Sequence, residues 1–223
     1  MRYKDLYNEW KNDPEKFWIN AAQNIDWIKF PSFALDSSNK PFYKWFPDSL
    51  VNTCFNAIDR HVIKGNGDKT AIIYDSAIRG IKEKITYSQL LKKVTKFAHA
   101  MSNAGIAKGD RVIIYMPMIP EAIVSMLACS RIGAIHSVVF GGFAANELAV
   151  RIDDAKPKAI IAGSCGIEPS SIIPYKPLLD KAIEQAKHDP NFCVIFQRDE
   201  LQAPLISNRD YDWYEFQKSS SEC

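Results

Sequence analysis

The sequence predicts an α/β fold: a doubly wound, mostly parallel sheet preceded by an N-terminal helical segment. Three observations carry that expectation. After Gly67, short apolar runs alternate with amphipathic stretches long enough to be crossover helices. Most of the runs are apolar rather than alternating, as strands covered on both faces are. Gly and Pro punctuate the junctions. Right-handed crossovers would then gather the functional loops at the carboxyl ends of the strands. Three segments follow: residues 1–66, helical and aromatic-rich; residues 67–207, the α/β domain; and residues 208–223, a polar tail without a core role.

In the first segment, Asp13-Pro14-Glu15 opens a helix. Asp caps, Pro suits the first helical position, and Glu favours the positive end of the dipole. That helix runs through Phe17, Trp18 and Ala22, and a loop with Pro31, Ser37, Ser38 and Pro41 follows. Asp48 or Ser49 is expected to open a second helix carrying Leu50, Cys54, Ile58 and Val62, ended by Gly65-Asn66-Gly67.

In the second segment, Thr70–Tyr74 and Lys84–Thr86 read as strands joined by a turn at Gly80. Thr86 or Ser88 caps a helix to Ala104, closed by Gly105. Strands are expected at Val112–Met116, Ala134–Phe140, Lys158–Ala162 and Cys193–Phe196. Helices are expected from Pro120 to Ser130, over Asn146–Ala155 and over Leu178–Lys187.

Composition excludes several classes. The 223 residues are 47% hydrophobic and 24% charged, with a net charge of +2 and no Lys/Arg cluster unrelieved by acids, so neither nucleic acid nor a membrane is an expected partner. The apolar stretch from Val112 to Phe140 is broken by Pro117, Pro120, Glu121 and Arg131, which rules it out as a membrane span. The start, Met1-Arg2-Tyr3-Lys4-Asp5, shows no targeting segment, so the expected compartment is the cytoplasm or the mitochondrial matrix. The five cysteines, at 54, 129, 165, 193 and 223, are widely spaced and odd in number, which fits reduced thiols rather than a disulfide frame or a zinc site. His61, His99, His136 and His188 stand far apart, and no metal site is expected. Met101, Met116, Met118 and Met126 read as core packing.

Two stretches at strand ends are candidates for binding. In Phe140-Gly141-Gly142-Phe143, paired glycines let a ligand approach the backbone and the aromatics offer a face to a flat ring. The helix start near Ala144 would favour an anion. A tight turn without a ligand explains the same pattern. The second stretch is Ser164-Cys165-Gly166-Ile167-Glu168-Pro169-Ser170-Ser171, whose small polar residues suit either a ligand or a cap. It holds no Arg or Lys, poor equipment for a phosphate. No dinucleotide fingerprint, P-loop or nucleophile elbow is present, and no catalytic residue is assigned.

A family resemblance rests on several motifs together. Asn52-Thr53-Cys54-Phe55-Asn56-Ala57-Ile58-Asp59-Arg60-His61, Asp26-Trp27, Ala71–Ser76 and Gly109-Asp110-Arg111-Val112 are among them. So are Met116-Pro117-Met118-Ile119-Pro120-Glu121 and the run from Arg131 to Phe143. From about residue 3 to Trp213 the chain resembles the short-chain acyl-CoA synthetases, the AMP-forming acetate and propionate ligases of the adenylate-forming superfamily. Gly166-Ile167-Glu168-Pro169 leans toward the propionate branch.

The resemblance implies the incomplete large domain of that fold. It implies a reaction in which a short-chain carboxylate and ATP give an acyl-adenylate that the CoA thiol then attacks. It also implies that Phe140, Gly141 and Gly142 line the place of the CoA adenine, and that Glu168, Pro169, Ser170 and Ser171 lie against its nucleotide end. Family members place Arg where Ser171 stands, and some acetate enzymes place one at Glu168 as well, so firm phosphate contact is not expected here. The family's ATP loop and catalytic-lysine domain lie beyond Cys223. ATP and Mg²⁺ are therefore expected only in a longer enzyme, and these residues alone are expected to be inactive. The alternative is a non-catalytic interaction or regulatory module derived from such an enzyme.

Overall fold

The computed structural model describes residues 2–218. Met1 and residues 219–223, with the Ser219–Ser221 run and Cys223, lie outside the described residues. The chain divides into two compact units between Arg60 and His61.

The first unit opens with helices α1 (Tyr3–Asn12) and α2 (Pro14–Ala22). Asp13 caps α2 as its sequence implies, its carboxylate accepting from the Lys16 N–H at 3.0 Å with Pro14 at the first helical position. Two short antiparallel ladders follow: β1 (Trp27–Lys29) with β4 (Leu50–Val51), and β2 (Leu35–Asp36) with β3 (Lys44–Trp45). The helix expected from Asp48 or Ser49 therefore starts later, because Leu50 and Val51 are engaged as a strand. Asn52 supplies the cap, its Oδ1 accepting from the Phe55 N–H at 3.0 Å, and the helical turns are π-type over Phe55–Asp59. Asn56 binds the backbone of Asp26 in both directions, at 2.9 Å each. Arg60 donates to Asn56 and to the Asn24 carbonyl. Two motifs separated by some thirty residues in sequence are thus one clasp.

In the second unit a further π-helical turn, Val62–Asn66, is kinked at Gly65, whose φ is +79°. The hairpin of β5 (Thr70–Ser76) and β6 (Ile81–Thr86) is antiparallel and separate from the main sheet. Thr86 then caps α3 (Tyr87–Asn103) in a reciprocal box with Gln89.

The main sheet has five parallel strands in the order β13-β12-β9-β7-β8. They are β7 (Arg111–Met116), β8 (Ile135–Phe140), β9 (Ala159–Gly163), β12 (Phe192–Phe196) and β13 (Asp210–Asp212), and a small hairpin of β10 (Cys165–Glu168) and β11 (Ser171–Pro174) follows β9. The connecting helices are α4 (Pro120–Ile132), α5 (Ala145–Ala155), α6 (Tyr175–Gln185) and α7 (Trp213–Phe216). Successive strand residues point to opposite faces. Ile113 and Tyr115, Ile160 and Ala162, and Cys193 and Ile195 bury one face against α5 and α6. The helices α3, α4 and α7 pack with one another and with the strands on the other side. This is the expected doubly wound parallel sheet.

Two further expectations are corrected. The tail from 208 is not without a core role: Asp210–Asp212 extends the sheet, and Trp213 and Phe216 are buried, Trp213 stacking on Phe97 at 4.0 Å. Their i, i+3 spacing puts both rings on one helix face. Met118, read as core, is 86% exposed on the loop after β7. Among the described residues Cys54, Cys129, Cys165 and Cys193 are buried and in no disulfide, and burial pushes the Cys129 and Cys193 thiols up to about 12, so both stay protonated.

The first turn of α6 buries a cation. Lys176 is 1% exposed, and its Nζ lies 2.6 Å from Asp180 Oδ1 and 2.8 Å from Asp210 Oδ2. Arg209 pairs with the same two carboxylates. A cation at a helix N-terminus is disfavoured by only about 0.3–1 kcal/mol, whereas breaking a buried pair costs about 3–5 kcal/mol, so the network decides. Burial alone would raise the Asp210 carboxyl, but hydrogen bonds from Arg209 and Lys176 outweigh it and hold the group below its ordinary value. Its contribution is therefore present above the unfolded carboxylate pKa and is lost as pH falls through the lowered folded value. Asp210→Asn should lower stability in urea denaturation at pH 7 by about 3–5 kcal/mol. The gap from the wild type should narrow as the pH drops below about 4. A gap that stays constant with pH would remove this ion network from the stability of the unit.

Candidate functional site

The strands β7, β8, β9 and β12 end in register, Met116 beside Phe140, Tyr115 beside Ala162, and Phe196 beside Gly163. The chain leaves β7 through α4 toward β8, but leaves β9 through α6 toward β12. Connections diverging from neighbouring strands open a binding place at their carboxyl ends.

Both candidate stretches lie there. Phe140 ends β8 and is 71% exposed, its ring edge-on to Phe143 at 5.8 Å. Gly142 has φ +108°, a conformation that strains any residue with a Cβ. The reason for Gly141 is internal to the protein: a Cβ there would stand 2.5 Å from the Tyr175 hydroxyl oxygen. The Tyr115 hydroxyl donates to the Phe143 carbonyl at 3.1 Å and fixes the end of the turn. The Arg151 guanidinium lies over the Phe143 ring, 5.2 Å from its centroid.

The stretch 164–171, whose small polar residues suit a ligand or a cap, forms the first part of the β10–β11 hairpin. Glu168 pairs with Ser171 across the Pro169-Ser170 turn, and all four residues are exposed. Ser164 anchors its base: the Ser164 N–H donates to the Phe196 carbonyl at 2.9 Å, its carbonyl accepts from the Tyr175 N–H at 3.0 Å, and its Oγ accepts from the Arg198 N–H at 2.9 Å. The buried Arg198 also donates through Nη1 to the Cys165 carbonyl at 3.1 Å. In the strand, Gly166 meets the same ring as Gly141, since a Cβ on it would stand 2.4 Å from the Tyr175 oxygen.

Tyr175 thus joins two stretches that the sequence presents separately. Its ring is 4% exposed and lies 5.0 Å from that of Tyr115. Burial first, and then the neighbouring Tyr115, pushes the Tyr175 phenol up to about 12, so it is a neutral donor at physiological pH. Sequence reasoning missed both tyrosines. The available signals were a polar-tipped aromatic closing the apolar run Val112–Met116 and an aromatic at the start of a helix. Two cavities lie elsewhere: one of 780 Å³ is lined by Lys176, Asp180, Ile206 and Arg209, where the cations pair with carboxylates, and one of 290 Å³ lies beside Lys93, Glu121 and Tyr214. Among the described residues no group of three or more His, Cys, Asp or Glu side chains is placed to hold a metal.

The profile of the AMP-binding enzyme family matches residues 59–221, and that of the acetyl-coenzyme A synthetase N-terminus matches residues 3–57. The chain belongs to the AMP-binding enzyme family. Within it, the chain is 48% identical over 96% of its length to the mitochondrial acyl-CoA synthetase short-chain family member 3 of Mus musculus. It is 44% identical over 96% of its length to the propionate–CoA ligase of Escherichia coli, and 42% identical over its whole length to the acetyl-coenzyme A synthetase of Desulfatibacillum aliphaticivorans. These alignments cover 31%, 34% and 34% of the relatives, so the chain spans about a third of the length of the curated relatives it matches. The resemblance read from the motifs is to the same short-chain synthetases.

The shared ring gives a test of the geometry. Gly141→Ala should lower stability by about 1–3 kcal/mol, since the new methyl overlaps the phenol. In a Tyr175→Ala background the same change should cost nearly nothing, a coupling read by a double-mutant cycle in urea. Additive effects would mean that the ring does not constrain Gly141.

Proposed function

We propose that these residues hold the nucleotide end of CoA in a short-chain acyl-CoA synthetase. That enzyme would join propionate or acetate to CoA through an acyl-adenylate. The observation supporting this most is the convergence of the Phe140–Phe143 turn and the β10–β11 hairpin on Tyr175, at the carboxyl ends of the parallel strands. The exposed Phe140 ring offers a face for a flat base, and Gly142 leaves the backbone open, nothing lying within 4 Å of where its Cβ would be. Glu168, Pro169, Ser170 and Ser171 edge the site and offer hydroxyls and backbone groups.

What the chain's residues do in this reading is bind and orient. Holding the nucleotide fixes the distant thiol end of CoA within reach of an acyl group, and that positioning turns a bimolecular attack into a local one. Among the described residues no group of three or more His, Cys, Asp or Glu side chains is placed to hold magnesium, and no adenylation step is assigned to them. The relatives' names include mitochondrial proteins, and no helix among the described residues is long and apolar enough to cross a membrane. The mitochondrial matrix or the cytoplasm is the compartment proposed, with CoA and a short-chain carboxylate as the small-molecule partners.

Calorimetric titration with CoA tests the reading. The chain should bind CoA, Phe140→Ala should weaken binding about tenfold through loss of ring contact, and Gly142→Val should abolish it. Binding untouched by Gly142→Val, or no binding at all, would contradict the assignment.

A further inference from the structure

A cavity of 540 Å³ lies within the first unit, and three of its lining residues are tryptophans: Trp10, Trp18 and Trp45. The local fold brings them together. Helix α1 ends at Asn12, Asp13 turns the chain, and α2 begins at Pro14, so Trp10 and Trp18 stand on either side of that corner. The ladder of β2 and β3 adds Leu35 and Trp45, which are paired across it. The Trp18 and Trp45 rings meet at 76° with 5.3 Å between centroids. All three indoles stay between 36% and 52% exposed, so apolar ring surface remains open to an occupant.

Charge is the second observation. Asp13 and Glu15 also line the cavity, and no Lys or Arg does. Each carboxylate accepts one backbone hydrogen bond, Asp13 from the Lys16 N–H and Glu15 from the Ala34 N–H. Neither forms an ion pair with a described residue. The C-terminal pole of α1 and the N-terminal pole of α2 meet at the same corner, so the helix dipoles oppose each other and the carboxylates set the sign.

Ring faces attract a cation through their quadrupole, and the carboxylates reinforce that attraction and repel anions. A bare ammonium would give up hydration that indoles do not replace, whereas a methylated ammonium has little to give up. A metal ion is disfavoured further, since no group of three ligating side chains is placed for one among the described residues.

We propose that this cavity binds a small quaternary ammonium compound, its methylated cation against Trp18 and Trp45 and its charge balanced by Asp13 and Glu15. A space of 540 Å³ is of the size that takes a whole small molecule. The site is separate from the assignment of CoA, and neither reading depends on the other.

Titration of the whole chain with choline chloride, against sodium chloride at equal ionic strength and followed by indole fluorescence, tests the proposal. Choline should bind with a Kd of about 1 mM or tighter. Dimethylbutanol, the isostere with carbon in place of the charged nitrogen, should bind at least about tenfold more weakly. Asp13→Asn and Glu15→Gln keep oxygens able to accept the two backbone hydrogen bonds, and combined they should weaken choline about tenfold. Trp45→Leu keeps an apolar side chain at an exposed position and should weaken it about fivefold. Phosphatidylcholine vesicles, which carry the same cation on a lipid, should leave the fluorescence unchanged. No choline binding at about 10 mM, or equal binding of the neutral isostere, would overturn the proposal. So would choline affinity that the double carboxylate variant leaves unchanged, or binding to the vesicles in place of free choline.

Discussion

The Tyr175 ring occupies the space that a β-carbon would need at both Gly141 and Gly166. One residue comes from the turn after an edge strand and the other from a hairpin twenty-five residues later, so their joint lack of a side chain is a single packing constraint. The ring can lie there because its own backbone is held. The Tyr175 and Lys176 N–H groups both donate to the Ser164 carbonyl, and Ser164 is tied to Phe196 and Arg198 at the end of the neighbouring strand. Each loop is therefore placed by the sheet beneath it rather than by its own propensity. Geometry of this kind, carried on rigid elements, is what a binding surface needs to be preformed.

The ion network beneath α6 holds the same helix from its other side. Lys176, next to the ring, would be costly to bury alone, and the two carboxylates and Arg209 make its position stable. Asp210 belongs to β13, so the last strand of the sheet helps to hold the helix that carries Tyr175. By contrast, Lys82 and Asp75, exposed in the β5–β6 hairpin, form a pair worth about 0–1 kcal/mol. A half-buried pair ties that hairpin to the chain after β12: Arg79 in its turn pairs with Glu200, which lies 3.8 Å from Arg198. Arg198 in turn holds the base of β10.

Much of this fold was legible because its strands are continuous β-branched and small apolar runs, and such runs have few other uses. Ala159–Gly163 is buried at every position, as a central strand of a covered sheet must be. The β10–β11 hairpin was not legible, because Cys-Gly-Ile-Glu and Ser-Ile-Ile-Pro are too short for periodicity to separate from a loop. The late start of the helix near Asn52 arose from competition between two caps, decided by the pairing of Leu50 and Val51 with β1. The role of residues 210–216 was hidden by their polar neighbours, since two buried aromatics three apart make too short a pattern for a confident core assignment. As for the site, the glycines and Phe140 announced themselves, but the ring that relates them did not. A tyrosine at a helix start has no distinctive spacing, and only the fold places it against residues 34 and 9 positions earlier.

The central claim is that the Phe140–Phe143 turn and the β10–β11 hairpin form one binding surface organised by Tyr175. Amide hydrogen exchange with and without saturating CoA reads both stretches at once. The account predicts that CoA slows exchange in residues 141–144 and in residues 166–173 together, at the same ligand concentration. Protection confined to one stretch, or protection of the two at different concentrations, would contradict it.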